Sequence, residues 1–98
     1  MNKIVAVANA KAGKTREAIA VLNAMVDHAR TTHGHKMEAY MQILGGTSGT
    51  IYLITEYEDA ASYQAILAKL MADEGYWALS QRAAEVMSAP TLAFLQPV

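Results

Sequence analysis

The stretch Thr50–Tyr57, reading Thr-Ile-Tyr-Leu-Ile-Thr-Glu-Tyr, constrains the fold more than any other part of the chain. Successive side chains of a strand point to opposite sides. Tyr52, Ile54 and Glu56 therefore share one face, and Ile51, Leu53, Thr55 and Tyr57 share the other. A sheet with one wet side alternates apolar and polar residues, whereas here both faces are largely apolar. Each face needs a cover. A Gly-rich turn precedes the strand (Gly45, Gly46 and Gly49), and the acidic pair Glu58-Asp59 follows it as a helix start.

Composition sharpens that requirement. The chain has 98 residues, enough for one domain spanning 1–98 with a single modest core. Hydrophobic residues make up 53% and charged residues only 17%, so there is more apolar surface than one small core hides. An oligomer that buries the excess is expected, with a second copy of the chain as the partner. A net charge of −1 offers no electrostatic footprint for nucleic acid or anionic lipid. The absence of cysteine rules out disulfides, thiolate metal sites and a Cys nucleophile. Lys3 followed by Ile4–Ala8 imitates a secretory signal, but the apolar run is shorter than the roughly 7–15 residues of such a core. No run approaches the roughly 18 apolar residues of a membrane helix, and a cytoplasmic location is expected.

Taken in order, Lys3–Ala10 is a Val- and Ile-rich strand with Ile4, Ala6 and Ala8 on one face and Val5, Val7 and Asn9 on the other. From Lys14 to about Thr32 the period is helical, with Ile19, Leu22, Met25, Val26 and Ala29 as the apolar stripe. Gly34 is a left-handed terminator for that helix. A second strand, Met37–Leu44, sets Ala39, Met41 and Ile43 against Glu38, Tyr40 and Gln42. It joins Thr50–Tyr57 through the Gly-rich turn as an antiparallel hairpin. Asp59 caps a helix running to about Ala72, whose stripe is Tyr63, Ile66, Leu67 and Leu70. Asp73-Glu74-Gly75 breaks it near Gly75, and a further segment runs from Tyr76 to about Met87 with Leu79, Ala83 and Val86 or Met87 inward. Pro90 stops helix, and Thr91–Gln96 is the last strand. The methionines at 25, 37, 41, 71 and 87 read as core filler.

This order is the split βαβ arrangement of ferredoxin-like α+β domains, βαββαβ, with a four-stranded antiparallel sheet and the helices on one face. The "Lys-Ala-Gly-Lys" approach to the first helix, the Gly-rich hairpin, "Tyr-Leu-Ile-Thr-Glu-Tyr-Glu-Asp" and the broken helix before a terminal strand resemble the dimeric α+β barrel superfamily along the whole chain. That superfamily includes antibiotic-biosynthesis-type monooxygenases, haem-degrading monooxygenases, muconolactone isomerase-like proteins and the NIPSNAP-like group. The resemblance implies that two sheets pack face to face across a twofold axis, which covers the second face of Thr50–Tyr57. It also implies either a cofactor-independent monooxygenase-like or isomerase-like enzyme on a small aromatic or polyketide-like substrate, or a non-catalytic small-molecule-binding or dimerisation module. Fold alone does not choose between them.

Several residues carry candidate chemistry. Ala8–Thr15 fits a loose phosphate-loop pattern, but the first glycine is missing and the chain has no room for a parallel sheet, so it reads as a helix start. His33 and His35 are placed to share a strand face, but His28 falls on the polar side of its helix and no third ligand is apparent. No metal and no cofactor are expected. In the resembled monooxygenases an Asn on the first strand and a Trp on the later helix help form the site, and Asn9 and Trp77 occupy such places. The haem enzymes need a histidine further along that helix, and none follows Trp77. The plainer alternative is that Trp77 is a packing anchor and Asn9 ends a strand. Glu56, on the same face as Tyr52 and Ile54 and near Tyr40 and Gln42, is the candidate general base once a second subunit desolvates it. Otherwise it pairs with Lys36 or Arg82 across the dimer. Glu56, Asn9 and Trp77 are thus the catalytic candidates. Tyr40, Gln42, Tyr52 and Ile54 are the substrate-binding ones, around a small apolar or aromatic ligand.

Overall fold

The computed structural model describes residues 1–45 and 49–98. Its elements are β1 (Asn2–Asn9), α1 (Thr15–His33), β2 (Met37–Met41), β3 (Thr50–Tyr57), α2 (Ala60–Met71), α3 (Glu74–Val86) and β4 (Thr91–Leu95). The sheet order is β2-β3-β1-β4, and every strand pairing is antiparallel. This is the expected α+β ferredoxin-like fold. The antiparallel sheet has no place for a phosphate-loop nucleotide site. Gly46, the middle glycine of the hairpin turn, lies outside the described residues, while Gly45 and Gly49 both take positive φ angles, 75° and 86°. No helix among the described residues is long and apolar enough to cross a membrane.

The register of β1 against β3 runs from Asn2↔Tyr57 to Asn9↔Thr50. It aligns Ile4, Ala6 and Ala8 with Thr55, Leu53 and Ile51 on the face toward the helices. Against that face pack Ala18, Val21, Leu22 and Met25 of α1, together with Met87. The helical stripe differs from the expected one. Ile19 stands outside at 37% exposure, while Ala18 and Ala29 are fully buried. The inward set 18, 21, 22, 25 and 29 keeps the helical period, and small alanines at its ends bring the helix close to its neighbours. Met25 and Met87 are core residues as expected, but Met41 and Met71 are exposed because β2 is an edge strand and α2 buries only Leu70.

Caps set the ends of the helices. Asp59 accepts the Ser62 N–H at 2.8 Å, and Gly34 ends α1 in the left-handed conformation at φ 63°. The break in the second helix falls at Asp73, two residues before Gly75. The Asp73 side chain accepts the Tyr76 N–H and starts α3 as an N-cap. A capping carboxylate, rather than a flexible glycine, makes the bend. α2 is held over the far edge of the sheet by an aromatic cluster of Tyr57, Tyr63 and Phe94, with ring centroids 5.5–6.0 Å apart.

Ile51 lies at the centre of this core, 4% exposed between β1 and α1. Ile51→Ala is expected to destabilise the fold by about 2–5 kcal/mol, read as a lower chemical-denaturation midpoint with an unchanged slope.

Candidate functional site

Two helix-facing surfaces in this fold are built from small side chains. On β1 these are Ala6 and Ala8; on α3, Ser80, Ala83 and Ala84 recur with Met87 at spacings of three and four, which places them on one helical face. Where these patches face each other, with Leu22 and Met25 of α1 and Ile51 and Leu53 of β3 as the remaining walls, a cavity of about 530 Å³ is left. Its rim is formed by Lys11, Ala84, Ala89 and Pro90, all exposed. The lining is aliphatic except for Lys11, Ser80 and Ser88. Lys11 Nζ donates to the Ala84 carbonyl at 3.2 Å, and the Lys11 N–H donates to the Val86 carbonyl at 2.9 Å. Ser88 is held in turn, accepting the Asn9 N–H on its Oγ at 2.9 Å and donating its own N–H to the Asn9 carbonyl. These bonds fix the rim of the cavity to the end of β1.

None of the seven site candidates chosen from the sequence lines this cavity. Tyr40, Gln42, Tyr52, Ile54, Glu56 and Asn9 lie on the opposite face of the sheet, as the strand alternation requires. There Tyr40 and Tyr52 are directly paired across β2 and β3, and the Tyr52 hydroxyl donates to Gln42 Oε1 at 2.7 Å. The Tyr40 hydroxyl donates to Glu38, and that carboxylate raises the tyrosine above its ordinary value of 10.0. Asn9 joins the same end of the face, accepting the Thr50 hydroxyl on Oδ1 at 2.8 Å. Glu56 stands six residues from Thr50 along β3, roughly 20 Å away. Its neighbour is Lys3, directly opposite on β1, with Nζ 3.8 Å from the carboxylate; neither Lys36 nor Arg82 is its partner within the chain. Both side chains of that pair are half-exposed. Trp77 lies on α3, beyond the sheet's other face, and is 47% exposed. A single chain does not bring Asn9, Glu56 and Trp77 together. The cavity residues carry a signal in the sequence, the small-residue period Ser80-Ala83-Ala84, whereas the alternation on β3 points to the other face.

A second constellation joins the end of α1 to the start of α3. Asp73 Oδ2 is 2.7 Å from Nε2 of both His28 and His33. With the carboxylate ionised, both nitrogens donate. The His28 bond, the Tyr76 N–H and the His33 bond together hold the Asp73 carboxyl far below its ordinary value of 3.8. His28 thus faces the N-cap of α3 rather than the polar exterior expected of it, and the group absent from the sequence reading is supplied by Asp73, 45 positions from His28 and 40 from His33. His35 stands apart from this set. It is 7% exposed, and its Nε2 has no partner among the described residues.

The NIPSNAP family profile matches residues 7–98. The chain belongs to the NIPSNAP family. An uncharacterised NIPSNAP domain protein from Burkholderia xenovorans is similar in structure with a TM-score of 0.85 at 20% identity, over 100% of this chain and 95% of that one. A NIPSNAP family protein of unknown function from Agrobacterium tumefaciens gives 0.85 at 14% identity, over 100% and 88%. A candidate antibiotic biosynthesis monooxygenase from Nitrosomonas europaea gives 0.77 at 12% identity, over 100% and 99%. At these identities the likeness is one of fold. No curated protein sequence matches the chain.

Burial lowers the His35 imidazole below its ordinary 6.5, and the neighbouring His33 adds to the effect. The folded state therefore disfavours a proton that the unfolded chain accepts near 6.5, so stability falls as the pH drops through that value. His35→Leu is expected to flatten the decline of the thermal midpoint between about pH 7.5 and 5.5 relative to the parent.

Proposed function

We propose that this NIPSNAP-family chain is a cytoplasmic homodimer in which each subunit binds one small, largely apolar or aromatic molecule in the cavity between its sheet and α1 and α3. The observation that supports this is the cavity itself. At about 530 Å³ it is of the size of small-molecule sites, and its walls are apolar with a few polar groups at one side. Lys11, Ser80 and Ser88 would orient a hydroxyl or carbonyl of the ligand there.

The dimer is proposed from the opposite face. Val5 and Val7 of β1, Tyr40 of β2, Tyr52 and Ile54 of β3, and Leu95 of β4 share that side of the sheet, with no helix among the described residues over them. Tyr40 and Leu95 are about half-exposed. Covering such a face against a second copy is the simplest way to remove it from water. Ile54→Lys is expected to convert the dimer to a monomer of about half the mass in light scattering, because it places a charge at the centre of the interface.

A second reading, a cofactor-independent monooxygenase-like or isomerase-like enzyme on the same class of molecule, draws on the fold shared with the Nitrosomonas protein. Here Asn9, Glu56 and Trp77 would act together only where the dimer unites them. Ala83→Phe fills the cavity from α3 and leaves the open face untouched. It is expected to abolish binding of small phenolic or naphthalene-type probes, seen by fluorescence titration, while dimer mass is retained. Probe affinity unchanged by Ala83→Phe would overturn the binding site. Oxygen consumption or isomerisation of polyketide-like phenols that is lost in both Glu56→Gln and Trp77→Phe would favour the enzyme over the binding module.

A further inference from the structure

We propose that His28, His33 and Asp73 form a site for a divalent transition-metal ion of the zinc class. The three donor atoms lie within 4.8 Å of one another, and both imidazoles direct Nε2 at the same carboxylate oxygen. Two imidazole nitrogens and one carboxylate oxygen are the donor set of zinc and its first-row neighbours; calcium and magnesium prefer all-oxygen shells. The present N···O separations of 2.7 Å are hydrogen-bond lengths. Ligands at about 2.0–2.2 Å from a tetrahedral ion stand roughly 3.3 Å apart, so side-chain rotation of about half an ångström admits the ion in place of the two shared protons.

Two features of the surroundings support a built site. Asp73 Oδ1 is committed to the Tyr76 N–H at 3.1 Å, and this fixes the carboxylate so that Oδ2 faces the histidines. Such outer bonds are what orient metal ligands. Gly75 leaves the space that His28 occupies. A Cβ at that position would lie 2.9 Å from His28 Cε1 and 3.2 Å from Asp73 Oδ1, displacing the ring from the carboxylate. The donors are sheltered without being sealed, with His28, His33 and Asp73 side chains 29%, 18% and 13% exposed. Three protein ligands leave a fourth position for water, as in open zinc sites. The ion would tie the last two turns of α1 to the N-cap of α3.

Cobalt(II) titration of chelator-treated protein tests this through the visible ligand-field bands of a low-coordinate ion, followed by displacement with zinc. The expected result is one cobalt per chain, with a rise in thermal midpoint as the site fills. Asp73→Asn preserves the helix cap, because Asn caps as well as Asp, yet it removes the anionic ligand. It is expected to weaken cobalt at least tenfold while circular dichroism confirms the fold. His33→Gln is expected to do the same. A parent protein that shows no ligand-field bands, or bands that persist unchanged in Asp73→Asn and His33→Gln, would overturn the site and leave the three residues as a hydrogen-bonded clasp.

Discussion

The antiparallel register between β1 and β3 assigns every side chain of the sheet to one of two environments, and the rest of the molecule follows from that assignment. With Asn2 opposite Tyr57 and Asn9 opposite Thr50, the alanines of β1 meet Ile51 and Leu53 on the side of the helices. Val5 and Val7 meet Ile54 and Tyr52 on the other. A slip of one residue would exchange these sets and expose the core. The cavity depends on the small β1 side chains of the first set, Ala6 and Ala8, and the uncovered apolar face on the larger ones of the second.

Why a cavity persists in so small a core has a local answer. Interiors normally pack to crystal-like density. Here α1 is drawn close by Ala18 and Ala29, both fully buried, while α3 presents Ser80, Ala83 and Ala84 to the alanines of β1. Short side chains on both walls cannot meet across the gap, and Leu22, Met25 and Met87 close only part of it. The capped bend at Asp73 is what allows this. It lets α3 run along α1 while α2 turns away to the aromatic cluster of Tyr57, Tyr63 and Phe94.

Much of the fold was legible from residues alone because its signals are local. The strand Thr50–Tyr57, the Asp59 cap, the Gly34 terminator and the break after α2 all depend on neighbours within a few positions. Ile19 misled because a large side chain outweighed the period formed by Ala18 and Val21 around it. The site was less legible. Alternation on β3 identified Tyr40, Gln42 and Tyr52 as a group, and they are one, but it carried no information on whether that face or its opposite encloses a void.

The βαββαβ order and the two apolar faces of β3 were settled by the amino-acid sequence, since period and caps are read along the chain, and the family by the profile match over residues 7–98. Only the tertiary structure decided where the cavity lies, that Glu56 faces Lys3 at the far end from Asn9, and that His28, His33 and Asp73 converge. The reason is physical. Each of these joins residues from different elements, 40 or more positions apart for the histidines and Asp73, and their distances follow from packing rather than from any repeat in the chain.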